Sequence, residues 1–223
     1  PATFSPGDQK KCADDNGNAT FNLTTLNNTI SGGTGTVSWW LDDKGTIPLN
    51  PPNSFTVNIA DSPLKVYAKV TNNGCTSKGR EVTLIVNPLP TYISNVMVEM
   101  CKAPVGLTNF NLLQVAQLVL NGSTDIVKFY KDVAATQLIV GTTYGVNSTS
   151  TIYAVVNNAN CSTAPFPVQL IVNTLPDVII SPANASFCTG DSVLLSSNVT
   201  NGTPIYTYKW SLPNSTNSDS SWV

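Results

Sequence analysis

Histidine is absent from this 223-residue chain. Without it the commonest general base and the commonest metal ligand are missing, so Ser-His-Asp triads, Cys-His nucleophiles and most zinc sites are excluded together. Charge is scarce as well: Asp, Glu, Lys and Arg make up 11% of residues, against about 25% in an ordinary soluble domain. Eleven basic and thirteen acidic side chains leave a net charge of -2. The basic ones stand singly or as the pair Lys10 and Lys11, so no clustered surface exists to neutralise nucleic-acid phosphates, and nucleic acid is not an expected partner. No apolar run approaches the ~20 residues that would span a bilayer. The opening at Pro1 carries neither an initiator Met nor a charged-then-apolar leader, which reads as a piece of something longer.

What fills the gap is Ser, Thr and Asn, about a third of the chain, set among Val, Ile, Leu, Tyr and Trp. That mixture suits pleated strands punctuated by Asn, Gly, Asp and Pro. The pattern also repeats. "VTLIVNPLP" closes at Pro90 and "VQLIVNTLP" at Pro176; "KVYAKVTNNGCTS" lies over "TIYAVVNNANCST", with Tyr67 over Tyr153 and Cys75 over Cys161. Cys12, Cys101 and Cys188 share one column, and Pro1 and Pro90 each stand eleven residues before a cysteine. A sustained self-match at one period marks repeated structural units. We read two complete domains, 1–89 and 90–175, and the first part of a third, 176–223, joined by extended proline-bearing linkers.

Within a unit, short strands separated by turn residues predict an all-β sandwich. The first unit is expected to hold strands near 19–30, 36–42, 46–49, 54–60, 64–71 and 78–87, with a short leading strand before Cys12. "NLLQVAQLVLNG" has both helical and strand spacing. Its counterpart "NLTTLNNTI" is rich in poor helix formers, so both are expected to be strands, and no helix is expected to exceed a turn or two.

Few residues invite chemistry. The acidic side chains are scattered apart from Asp14-Asp15 and Asp42-Asp43, which reads as surface charge rather than a catalytic pair. Asp14, Asn16 and Asn18 in "DDNGN" faintly resemble a calcium loop, though the distal Glu is missing and a plain turn is the simpler reading. Trp40 falls on Phe129, each twenty-eight residues after its first cysteine, and is expected in the core. Trp39 then shares a column with Lys128 and Lys209. That predicts a solvent-facing indole able to stack on a sugar or a partner protein, the bland alternative being packing against a neighbouring loop.

The five cysteines leave two pairings open. One is local, Cys12 with Cys75 and Cys101 with Cys161, with Cys188 left over. The other joins consecutive units through Cys12 and Cys161, because the turns carrying Cys12 and Cys75 lie at opposite ends of a sandwich, roughly 25 Å apart, whereas a disulfide needs Cα atoms within ~7 Å.

"FCTGDSVLLSS" at 187–197, "YKW" at 208–210, "NNGCT" at 72–76 and the closing "VTLIVNPLP" together resemble the tandem immunoglobulin-like repeats of large secreted cell-surface proteins of Bacteroidota. Gliding-motility adhesins and other cargo of the type IX secretion system are among them. The resemblance implies an elongated array of immunoglobulin-like sandwiches at the cell surface or secreted, without enzymatic activity or cofactor, acting as a stalk or adhesive filament. Implied partners are other domains of the same chain, surface polysaccharide, or a cell-surface or secretion-machinery protein. It also implies bacterial O-glycosylation at "D-S/T-apolar", met at Asp191-Ser192-Val193, with Ser192 as acceptor. The rival expectation is an accessory carbohydrate-binding or spacer region of a secreted polysaccharide-degrading enzyme, with Trp39 as the sugar platform.

Overall fold

A computed structural model describes residues 1–184, 186 and 188–210. Strict alternation of apolar and polar residues builds its sheets, because successive side chains on a strand face opposite sides. Val66, Ala68 and Val70 are buried along Leu64–Asn72, and Val82, Leu84 and Val86 along Arg80–Asn87. Contacts divide the chain into two compact units. One is Pro1–Tyr92 with Gly122–Val127 and Val155–Ala164; the other is Ile93–Asn121, Lys128–Ala154 and the chain from Pro165 onward.

The first repeat runs β1 (Gln9–Cys12), β2 (Asn18–Phe21), a 3-10 turn (Leu23–Leu26), α1 (Asn27–Ser31), β3 (Thr36–Trp40), β4 (Phe55–Asn58), β5 (Leu64–Asn72), β6 (Cys75–Thr76) and β7 (Arg80–Asn87). One sheet has the order β1-β7-β5-β3, with β6 as a flap on β5, and β2 pairs with β4 in the other. β1 is parallel to β7, while β7 to β5, β5 to β3 and β2 to β4 are antiparallel. Second, third, fourth, fifth and last strands thus take the B, C, E, F and G places of an immunoglobulin-like sandwich, and the leading strand adds alongside G. Phe21, Leu23, Ile30, Trp39, Leu49, Val57 and the inward residues of β5 and β7 form the core.

The second repeat uses the same plan: β8 (Val96–Cys101), β9 (Thr108–Asn111), α2 (Leu112–Leu120), β10 (Ile126–Tyr130), β11 (Thr143–Val146), β12 (Ser150–Asn157) and β13 (Phe166–Asn173). Its sheets are β10-β12-β13-β8, with β8 parallel to β13, and β9 with β11. Phe110, Leu112, Val115, Val119, Phe129, Ile152, Val168 and Leu170 are buried in it. In the third repeat β14 (Asp177–Ser181) and β15 (Ser196–Thr200) make an antiparallel pair; its residues 211–223, together with Phe187 of the motif quoted above, lie outside the described residues.

Two expectations need correction. "LLQVAQLVL" folds as the nine-residue helix α2, longer than the turn or two expected, and "LTTLNNTIS" as a 3-10 turn running into α1, not as strands. Leu112, Val115 and Val119 face the core at i, i+3 and i+7, as Leu23, Leu26 and Ile30 do in the first repeat. This is the helical stripe, and burying it outweighs the low helix propensity of Thr and Asn, which is worth only tenths of a kcal/mol per residue. The strand expected at 46–49 reduces to one bridge between Trp40 and Pro48.

Candidate functional site

The turns at the ends of β1 and β5 carry the chemistry that the sequence left open. β1 ends at Cys12, in register with Asn87, the last residue of β7, and the N–H of Ala13 donates to Asn87 O at 2.9 Å. Cys75 sits at the other end of the same strand, in the turn before Arg80 opens β7. Eight residues of β7 at ~3.3 Å each separate the two by roughly 25 Å, far beyond disulfide reach. Cys12 is instead bonded to Cys161, 149 residues away, with Cα atoms 5.7 Å apart. The pairing between repeats is therefore the one present, and the local pairing of Cys12 with Cys75 and of Cys101 with Cys161 is corrected. Both bonded cysteines belong to the first compact unit, because Val155–Ala164 clusters there.

Local hydrogen bonds hold Cys161 in place. Asn158 Oδ1 accepts from the N–H groups of Asn160 and Cys161 at 2.9 and 2.7 Å, an Asx turn that fixes the loop. The Asn158 side chain also donates to Pro88 O at 3.0 Å, and Cys161 Sγ lies 3.8 Å from Asn87 O. Cys161 is buried, whereas Cys75, Cys101 and Cys188 are exposed free thiols.

Trp39 is 4% exposed and lies in the core, its Nε1–H donating to Asn27 Oδ1 at 2.9 Å. Trp40 is the half-buried one, bonded through Nε1–H to Ser38 Oγ. Trp39 therefore pairs with Phe129, 5% exposed, and Trp40 with Tyr130. The reason is a one-residue difference in the loop after the helix: Ile30 to Trp39 is nine positions, and Val119 to Phe129 is ten. A slip of one along a strand moves every side chain to the opposite face. The expectation that Trp39 offers a sugar or partner platform is corrected accordingly.

The calcium candidates also resolve into local structure. Asp14 Oδ1 accepts from the N–H groups of Asn16 and Asn18 at 2.9 and 2.8 Å, and Asn18 Oδ1 from Asn58 Nδ2 at 2.9 Å. These hydrogen bonds build a turn from Asp14, Asn16 and Asn18. Among the described residues no group of three His, Cys, Asp or Glu is placed to hold a metal ion. Ser192 is exposed.

Asp42 and Asp132 were not singled out as a pair by the sequence, yet they make the same loop in both repeats. Asp42 accepts from Thr46 N–H, Thr46 Oγ1 and Ile47 N–H; Asp132 accepts from Thr136 N–H, Thr136 Oγ1 and Gln137 N–H. Desolvation pushes the Asp42 carboxyl upward, but the donors of Ile47, Thr46 and Gly45 outweigh it and hold its pKa at about 2, against an ordinary 3.8. At Asp132 desolvation likewise opposes, and the donors of Thr136 and Gln137 prevail, so its pKa is lowered too. The signal was available: D-x-x-x-T recurs ninety residues on, at Asp42 and Asp132.

A cavity of about 310 Å³ borders β14 and β15, lined by apolar and hydroxyl side chains including Val178, Val199, Ile205 and Tyr206. None of the described residues that line it is charged.

With the bond between repeats established, the comparison with known families becomes informative. Residues 8–90 match the family described as the Flavobacterium inter-domain disulphide bond domain. The matched stretch contains Cys12 and Cys75 and ends at Pro90, where the second repeat begins. Among solved structures the chain is similar to the N-terminal four Ig domains of Dscam1 isoform 4.44, at 13% identity over 95% of this chain and 64% of that chain, TM-score 0.26. It is similar to isoform 7.44 of the same protein at 14% identity over 94% and 62%, TM-score 0.29, and to Sidekick-1 immunoglobulin domains 1–4 at 13% over 79% and 52%, TM-score 0.25. The chain thus spans less than two thirds of each. No curated protein matches it. No helix among the described residues is long and apolar enough to cross a membrane.

Proposed function

We propose that this chain is a segment of a non-enzymatic extracellular repeat protein, serving as a stalk or adhesive filament at the cell surface. The observation that carries the reading is the Cys12–Cys161 bond, which gives consecutive repeats a covalent tie besides the linker. Such a bond suits an oxidising compartment, and fixing neighbours to one another serves a spacer rather than a reaction centre. The domains are 1–89, 90–175 and 176–223, and their partners are other domains of the same chain, with surface polysaccharide or a surface or secretion-machinery protein at a distal end. Export as type IX cargo and O-glycosylation at the exposed Ser192 belong to the same reading.

Surface labelling tests it. Antibodies raised against residues 1–175 should decorate intact cells that make the protein, and deleting these repeats should shorten or abolish attachment. Label confined to permeabilised cells would overturn the proposal.

A further inference from the structure

With Trp39 in the core, the outward aromatic side chain of β3 is Trp40, and strand alternation gives it a neighbour. Trp40 stands directly across from Tyr67, which lies between the buried Val66 and Ala68 on β5, so both rings are on the outer side of the sheet and half-buried. The second repeat keeps the pair. Tyr130 follows the buried Phe129 on β10, Tyr153 lies between the buried Ile152 and Ala154 on β12, and β10 and β12 are neighbours in their sheet. Cross-strand neighbours have Cβ atoms about 4.5–5.5 Å apart, so two such rings form one small apolar patch rather than an extended track. Among the described residues no protein group hydrogen-bonds the phenol hydroxyls of Tyr67, Tyr130 or Tyr153, whereas the Trp40 Nε1–H is taken by Ser38 Oγ at 2.9 Å.

A lysine stands in the adjoining row of both repeats. Ser38, two residues before Trp40, faces Lys69 across the strands, and the Lys69 ammonium donates to Lys44 O. In the second repeat the position of Ser38 is itself a lysine, the exposed Lys128 two residues before Tyr130, while the position of Lys69 is Val155. The cation beside the aromatic pair is thus kept although a different strand supplies it. Packing of a sheet face does not ask for that exchange; a ligand that needs a ring surface and one positive charge does. Glu81, on the far side of Tyr67, is held by Lys65 at 3.0 Å, the one salt bridge among the described residues, so Lys69 and Lys128 face an incoming anion without a carboxylate partner. We propose that the aromatic pair of each repeat, with its neighbouring lysine, is a subsite for one uronic-acid unit of an acidic polysaccharide. The apolar C–H face of the pyranose lies on the rings, whose π faces carry partial negative charge. Tyrosine hydroxyls bond the sugar hydroxyls, and the carboxylate takes the ammonium of Lys69 or Lys128. A nucleic acid does not fit, since isolated lysines neutralise too few phosphates. One such contact is weak, and a polymer that engages more than one copy gains avidity.

The inference rests on the surface reading proposed above and assigns polysaccharide contact to the repeats themselves. The 223-residue chain, disulfide intact, is titrated with polygalacturonate, with neutral dextran and with poly-L-glutamate, which carries carboxylates but no sugar rings. Polygalacturonate should bind, more weakly as salt rises. Dextran and polyglutamate should bind at least about tenfold less tightly, and Trp40→Ala with Tyr130→Ala should lower polygalacturonate affinity by a similar factor, as expected when multivalent contacts are removed. Lys69→Gln with Lys128→Gln should lower it likewise while leaving the urea midpoint close to that of the parent chain. That second variant keeps every core residue and both aromatic pairs, so it decides the matter if the first does not fold. Absence of binding to polygalacturonate, equal binding to dextran or to polyglutamate, or affinity unchanged in the lysine variant overturns the inference. So does an aromatic variant that folds and binds as the parent does. Each of these results leaves surface labelling, and with it the spacer reading, to stand or fall alone.

Discussion

Trp39 is the largest buried side chain in the core of the first repeat, with its one polar atom satisfied by Asn27. Trp39→Ala should therefore cost about 3–5 kcal/mol of stability, whereas Trp40→Ala, on the half-buried face, should cost clearly less; urea unfolding of the two variants compares them. The reverse order would restore Trp40 to the core. Ala135 holds φ at +52° where the first repeat has Gly45 at +76°. Relief of that left-handed strain, partly offset by the greater freedom of an unfolded glycine, should make Ala135→Gly about 0.5 kcal/mol more stable. Asp42 titrates lower in the fold than its ordinary 3.8, so its contribution is fully present above that value and fades as pH falls through about 2. Asp132 shifts in the same direction. Thermal midpoints should fall on acidification below about pH 4, and less steeply in the Asp42→Asn, Asp132→Asn double variant. Identical slopes would remove these carboxylates from the account. Counting from the cysteine column points to Trp40 as the core residue, but the loop after the helix differs by one residue between the repeats, and a slip of one along a strand exchanges the buried for the exposed face in full, so Trp39 is the buried one.

The helix after β2 is the element least visible in advance. Its first copy has Thr24, Thr25, Asn27 and Asn28, and breaks into a 3-10 turn and a short helix; its second copy, rich in Leu, Val, Ala and Gln, runs unbroken over nine residues. Propensity thus governs how regular the helix is, while the apolar stripe governs whether it exists. Composition disguises the equivalence of the two copies and spacing shows it, since Leu23, Leu26 and Ile30 repeat the intervals of Leu112, Val115 and Val119. Asn111 caps α2, accepting from the N–H groups of Leu113 and Gln114. Asn111→Ala should destabilise the second repeat by about 1 kcal/mol, measured as a lower urea midpoint at unchanged slope. The strands themselves were legible: β3, β5 and β7 fall within a few residues of their expected spans, because half-buried strands alternate openly while a helix in a β-rich composition does not.

At the scale of the chain, the repeat period and the sandwich could be read from self-similarity, and the disulfide could be narrowed to two pairings by strand length alone. Choosing between them needed the register that sets Cys12 beside Asn87, which no spacing encodes. Replacing Cys12 or Cys161 by Ser opens a loop of 149 residues, and chain entropy puts the loss at up to about 5 kcal/mol. Unfolding with and without reductant measures it, and coincident curves would show that the linker alone suffices. The same bond also redirects mechanical load. Tension entering at Pro1 and leaving beyond Cys161 passes from Cys12 through the two sulfurs, so residues 13–160 bear none of it. In a single-molecule pulling experiment the oxidised chain should not yield the length stored in that stretch, and adding reductant should release roughly 500 Å, the extended span of those residues. Within the loop closed by Cys12 and Cys161, extension under force is thus set by thiol chemistry, whatever the strength of the sheets it encloses.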